Sequence, residues 1–189
     1  VGRYIMIHLA CPVFGLWDEE TQCHMGVNGG QLLNQDNFTK TRPGGPFGSW
    51  QWNIGNAMKP NDLLGVAMSR VDLHGAALDE FMRRAARGFA MMTGVVEDLP
   101  QADNRVSLLQ RADRWGVPLA QVAHSCVEES LALWESARAQ GVRVMQAGGA
   151  GEAWAANSGP MHNMGGTMMG HDAAASVTNS YGRCHAVPD

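Results

Sequence analysis

Residues 73–96 read LHGAALDEFMRRAARGFAMMTGVV. Leu78, Phe81, Met82, Ala85 and Phe89 fall at i, i+3, i+4, i+7 and i+11, which makes one apolar stripe on a helix. The spacing predicts a helix over about Leu73–Phe89. Asp79 and Glu80 precede Arg83 and Arg84 by four residues, a spacing suited to exposed ion pairs. Gly88 weakens the last turn, and Met91–Val96 then reads as a strand.

Working outward, the N-terminal side is strand-like. Residues 1–17, VGRYIMIHLACPVFGLW, are rich in Ile, Val, Tyr and Phe, and predict one strand before Cys11-Pro12 and another after it. Residues 18–48 are polar and turn-rich, with room for one short strand in Gln31–Phe38. Ser49-Trp50-Gln51-Trp52-Asn53-Ile54 alternates with period two, as a half-buried strand does. On the C-terminal side, Arg105–Leu109 and Val117–His124 read as strands around turns at Pro100–Asn104 and Gly116. A second helix is predicted over Val127–Gln140, with Val127, Leu131 and Trp134 on one face and Gly141 as its stop. Residues 145–170 are rich in Gly, Ala and Met with little periodicity, a loop or close-packed backbone. Strands mixed with two good helices, without strict βαβ alternation, predict an α+β fold with a mainly antiparallel sheet.

The chain has 189 residues, enough for one sizeable domain. With 45% hydrophobic and 17% charged residues it is a folding composition, not a disordered one. No apolar run approaches the ~18 residues of a membrane-spanning helix. A net charge of −4 without a basic block argues against a nucleic-acid partner. The chain starts at Val1 and stops at Asp189 in what reads as a connection, so it is expected to be a piece of a longer protein. The sequence leaves the compartment open.

Several residue types invite chemistry. Cys11, Cys23, Cys126 and Cys184 form no C-x-x-C pair and no zinc-finger spacing, so no metal site is assigned. A Cys/His site from His8, Cys11, Cys23 and His24, serving a metal-dependent hydrolase, and a Cys11–Cys23 disulfide are the alternatives to buried thiols. His8, His74 and His124 are read as structural, and His171-Asp172 as a solvated turn in place of a cation site. Asn37-Phe38-Thr39 matches the glycosylation sequon. Trp50 and Trp52 share a strand face; core packing is the ordinary fate of such a pair, and a sugar-stacking platform in a free-standing carbohydrate-binding module is the alternative. Met161-His162-Asn163-Met164-Gly165-Gly166-Thr167-Met168-Met169-Gly170 places a histidine ahead of three glycines, a run that lets backbone approach a flat ligand while His162 accepts a proton near neutral pH.

That run, followed by Ser176-Val177-Thr178-Asn179 and Cys184-His185-Ala186-Val187-Pro188, resembles the C-terminal signature of glucose–methanol–choline (GMC) flavin oxidoreductases. It is most similar to the branch holding the flavoprotein subunits of gluconate, sorbitol, fructose and glucose dehydrogenases, with H-x-M-G-G-T-x-M-G and an SVVN-like strand. Val1-Gly2-Arg3-Tyr4-Ile5-Met6-Ile7-His8 resembles the GR-x-x-M-x-H opening of the family's substrate-binding part. Glu97-Asp98-Leu99-Pro100, Asp103-Asn104-Arg105-Val106 and Asp113-Arg114-Trp115-Gly116-Val117-Pro118 resemble its E-x-x-P, N-x-V and D-x-x-G-x-P sheet region.

The resemblance implies the substrate-binding domain of an FAD-dependent alcohol or sugar dehydrogenase or oxidase. Residues 1–189 form a single domain in that reading, and the FAD-binding domain belongs to the rest of a longer chain. No GxGxxG phosphate-binding turn occurs in this sequence, so the isolated chain is expected to bind no FAD and to be inactive. His162 would accept the hydroxyl proton while hydride moves to the flavin N5. Asn163 would hydrogen-bond substrate or flavin, and Gly165 and Gly166 would let the backbone reach the ring. The second catalytic residue would lie beyond Asp189. An antiparallel sheet of about six strands with helices on one side is implied, together with a small subunit and a cytochrome subunit as partners at a periplasmic membrane face.

Overall fold

The computed structural model describes residues 2–25, 32–39, 43–55, 58–157, 160–165, 177–178 and 184–185. Its centre is β1 (Met6–Leu16), one uninterrupted strand where two were predicted. Pro12 does not break it, for a directional reason. Ala156 donates its N–H to the Pro12 carbonyl at 3.0 Å, so the residue's ladder groups face away from β4 (Phe89–Val96). The missing N–H therefore costs nothing in the β1–β4 ladder, which runs unbroken through Pro12 opposite Thr93.

Among the described residues the main sheet has six strands. β2 (Leu32–Asn34), β3 (Trp50–Gly55), β4, β1 and β7 (Glu152–Ala155) follow in that order, and β8 (Pro160–Gly165) also pairs with β1. Each of these ladders is antiparallel. β5 (Arg105–Ala112) and β6 (Pro118–Ala123) form a separate hairpin, and β9 (Val177–Thr178) pairs with β10 (Cys184–His185). With α1 (Pro60–Ala67), α2 (Ala76–Ala85) and α3 (Glu128–Ala147), the fold is α+β with a mainly antiparallel sheet.

The helices lie on both sides of the sheet, which corrects the expectation of one side. Alternate residues of a strand face opposite ways. Leu9, Cys11 and Val13 of β1 join Trp50, Trp52, Met92 and Val96 in the cluster packed by Leu133, Ala137 and Met145 of α3. Phe14 and Leu16 join Phe89 in the opposite cluster, packed by Leu63 and Val66 of α1 and Phe81 and Ala85 of α2. Each fully buried Leu or Val in these clusters contributes roughly 1.5–3 kcal/mol by transfer from water.

The helices themselves differ from the prediction in instructive ways. α1 was missed; its signals are Pro60 at the first helical position and Asp62, whose carboxylate accepts the Lys59 N–H at 2.9 Å. α2 is shorter than the apolar stripe, because Gly88 must pass under a neighbouring segment. A side chain there would run into the Trp17 and Glu19 carbonyls, and Trp17 donates its N–H to Gly88 O at 2.8 Å. Arg83 pairs with Asp79 at 2.9 Å as expected. Arg84 instead reaches Glu152 of β7 at 2.7 Å, and Arg70 reaches the same carboxylate at 3.3 Å. The Arg84 and Arg70 hydrogen bonds hold Glu152 below the usual carboxylate range. The pair ties β7 to the α1–α2 layer.

α3 turns a different face inward from the predicted one. Ser130, Leu133, Ala137, Gly141 and Met145 are buried, while Leu131 is exposed. Gly141 does not stop the helix. It lets the helix approach the sheet, since a Cβ there would lie 2.7 Å from both the Trp52 ring and a Val13 methyl. Residues 145–170 read as loop or close-packed backbone. In fact 145–147 finish α3, 152–155 form β7 and 160–165 form β8; residues 158–159 and 166–170 lie outside the described ones.

The β5–β6 hairpin turns as the sequence predicts. Asp113 Oδ1 accepts the N–H groups of Trp115 at 2.8 Å and Val117 at 3.0 Å, and Gly116 takes φ +82°. The hairpin is held through Val106 N–H to Gly2 O at 2.7 Å and through Asn104, whose side chain brackets the Ser125 N–H and C=O, both at 2.8 Å.

Two glycines in helices give a paired prediction of opposite sign. Gly65 of α1 has nothing within 4 Å of a would-be Cβ, so Gly65→Ala should stabilise by about 0.5–1 kcal/mol through helix propensity. Gly141→Ala gains the same propensity but overpacks the core, which costs about 1–3 kcal/mol, so it should lower the urea midpoint. Equal midpoint shifts for the two would show that α3 does not sit this close to the sheet.

Candidate functional site

β8 carries His162, Asn163 and Gly165 along the edge of β1. Its register is irregular. Pro160 pairs with Leu9, Asn163 with Ile7 and Gly165 with Met6. From Pro160 to Asn163 is three residues against two on β1, and from Asn163 to Gly165 is two against one, so each interval holds an extra residue on β8. Such bulges bend a strand and re-aim its side chains, and they are common beside functional sites. His162 lies in the first of these intervals, in register with the His8 region of β1. Gly166, His171 and Asp172 lie outside the described residues.

The polar residues of the 97–106 stretch are brackets. Glu97 Oε2 accepts both the Ser49 N–H at 3.1 Å and the Ser49 hydroxyl at 3.0 Å. Asn104 is buried and holds Ser125 as described above. Ser130 at the start of α3 accepts the Leu99 N–H at 3.0 Å. These contacts fix the loop after β4 against α3 and the hairpin.

Asp98 is different. Its side chain is 0% exposed, His124 Nε2 lies 2.7 Å from Oδ2, and the Ile7 N–H reaches the same oxygen at 3.4 Å. Oδ1 is buried with no hydrogen-bond partner among the described residues. Cys126 completes the group: one ligand atom from each of Asp98, His124 and Cys126 lies within 4.8 Å of the others. Burial first, and the Asp98 charge second, push the Cys126 thiol above its usual value. Sequence reasoning read His124 as structural and assigned no metal site. The local signal was His124-Ser125-Cys126, an i, i+2 pair that places two donor side chains on one side of an extended segment. Asp98 lies 26 residues away from His124 and is brought in only by the fold.

Other candidates fall away. Trp50 and Trp52 are each 3% exposed, and both indole N–H groups donate to Gln140 Oε1, at 3.1 and 3.2 Å. Neither ring offers a face to a sugar, so the carbohydrate-platform alternative is withdrawn and the core reading holds. The cause is α3, which approaches through Ala137 and Gly141 and covers that side of β3. Cys11 and Cys23 sit in the clusters on opposite faces of the sheet and are not bonded to each other. They can share neither a disulfide nor a metal with His8 and His24. Burial pushes the Cys11 thiol up to about 12, so it is inert. The Asn37 amide donates to Gln140 at 2.9 Å and receives its N–H at 3.2 Å, which engages the sequon side chain. His74 is exposed on the surface and His8 is buried.

No family model matches the chain, and no curated protein matches it. Among the described residues no helix is long and apolar enough to cross a membrane.

Gln140 emerges as a polar hub that the sequence did not mark. Replacing it by Met keeps the volume but strips the acceptor from two buried indoles. Gln140→Met should cost about 2–6 kcal/mol in urea unfolding, because each orphaned donor carries a desolvation penalty of about 1–3 kcal/mol. A loss under about 0.5 kcal/mol would mean the indoles find other acceptors.

Proposed function

We propose that this chain is the substrate-binding domain of an FAD-dependent oxidoreductase of the GMC type, which oxidises the CH–OH group of an alcohol or sugar. One observation carries the reading: His162-Asn163-Met164-Gly165-Gly166-Thr167-Met168-Met169-Gly170 occurs in the order, and with the companion stretches, that the family's signature has. The antiparallel sheet supports it, and so does the seating of His162 in a bulged interval of an edge strand.

The ladders among the described residues bear on the cofactor. All are antiparallel. A dinucleotide cradle needs a parallel βαβ unit with a glycine turn ahead of its helix. No such unit occurs among the described residues, so in this reading the pyrophosphate falls to the FAD-binding domain of the longer protein and the ring side of the flavin to this part. Asn163, Gly165 and Gly166 are the residues that would meet the ring. Bound FAD would supply the hydride acceptor. His162 takes the hydroxyl proton, and the substrate alcohol is oriented against it. A small subunit and a cytochrome subunit are the proposed partners of the whole enzyme.

The test uses the full-length protein that contains this region. It should bind FAD and reduce a dye acceptor with alcohols or sugars. His162→Ala should lower kcat by ~10²–10⁴-fold with FAD content unchanged. The 189-residue chain alone should show no flavin absorbance and no turnover. A flavin-free full-length protein, or an unchanged kcat in His162→Ala, would overturn the proposal.

A further inference from the structure

We propose that Asp98, His124 and Cys126 form a binding site for a borderline-soft divalent cation of the zinc class. Two segments meet there: Asp98 lies just after β4, and His124 and Cys126 share the short link between β6 and the N-cap of α3. One carboxylate oxygen, one imidazole nitrogen and one thiol sulfur lie within 4.8 Å of one another. That is the donor set zinc takes, with carboxylate, imidazole and thiolate together.

Two further facts favour an ion over a packing contact. The first is the carboxylate itself. Asp98 is fully buried, its Oδ2 faces His124 Nε2 at 2.7 Å and the Ile7 N–H at 3.4 Å, and its Oδ1 has no hydrogen-bond partner among the described residues. A buried carboxylate oxygen without a donor is expensive unless a cation answers it. The second is the convergence of the group. In a nucleophilic relay the thiol and the carboxylate bind opposite nitrogens of the imidazole, separated by the ring and two hydrogen bonds. Here thiol and carboxylate are close to each other as well as to the histidine, as ligands around a common centre are.

Three protein ligands leave a fourth position in a tetrahedral site. Binding releases the Cys126 thiol proton, since the thiolate is the ligand, and replaces the His124–Asp98 hydrogen bond by bonds to the metal. The ion would clamp the loop after β4, the hairpin and the start of α3 at one point. This goes beyond the oxidoreductase reading and does not depend on it, since none of the three residues is placed in its chemistry.

The experiment is a Co²⁺ titration of the purified protein after treatment with a chelator. Wild type should take up one Co²⁺ with the intense visible bands of a tetrahedral site and a near-ultraviolet thiolate charge-transfer band, and Zn²⁺ should bleach both. Cys126→Ser should lose the charge-transfer band and weaken binding by at least about tenfold, the loss that even an outer-sphere partner can cause. Zn²⁺ should raise the melting temperature of wild type and not of Cys126→Ser. Cys184→Ser should keep the band. A weak six-coordinate Co²⁺ spectrum in wild type overturns the proposal whatever the variants do. A charge-transfer band that survives Cys126→Ser overturns it too, by assigning the thiolate elsewhere.

Discussion

β1 gives one edge to β4 over eight consecutive pairs, from Leu9 opposite Val96 to Leu16 opposite Phe89. It gives the other edge to two strands, β7 along Val13–Leu16 and β8 along Met6–Leu9. Both of its faces are covered along Leu9–Leu16, by α3 on one side and α1 with α2 on the other. A strand so surrounded cannot slip by one residue, because a slip would exchange Leu9, Cys11 and Val13 with Phe14 and Leu16 between two differently shaped cores. The register of β1 fixes where β8 lies and, through the Ile7 N–H, where Asp98 lies. Both proposed sites therefore depend on one strand.

The sequence showed its local periodicities well and its tertiary demands poorly. The apolar stripe of residues 78–89 and the alternation of 49–54 appear as α2 and β3, since each pattern reports one buried face. The fold class followed from them. Pro12 misled, because whether a proline breaks a strand depends on which neighbour its missing N–H faces. Gly141 misled for a related reason: a glycine reads as a helix stop, but here its lack of a side chain admits Trp52. β7 and β8 carry little alternation because they lie at an edge shared with loops, so neither stood out within 145–170.

The candidate sites divide the same way. His162 stood out through a local run of glycines, so the sequence sufficed to single it out. The metal-type cluster has a local half, His124 and Cys126 two residues apart, but needs the fold to bring in Asp98 from 26 residues away, and a linear reading has no access to that. Trp50 and Trp52 show the converse error. Two exposed-looking aromatics on one strand face are a binding platform only if no helix lies over them, and α3 does.

The divided edge of β1 also has a kinetic meaning. Its β7 half is backed by α3 and by the Glu152 pairs to Arg70 and Arg84, whereas its β8 half is a ladder interrupted twice. Stability in a folded chain is distributed by such differences, and units with fewer regular contacts open first. The backbone amides that tie Met6–Leu9 to β8 will exchange with solvent deuterium through a low-energy local opening. Those shared between Val13–Leu16 and β7 will wait for a larger event. The segment bearing His162 is thus expected to open ahead of the β7 half.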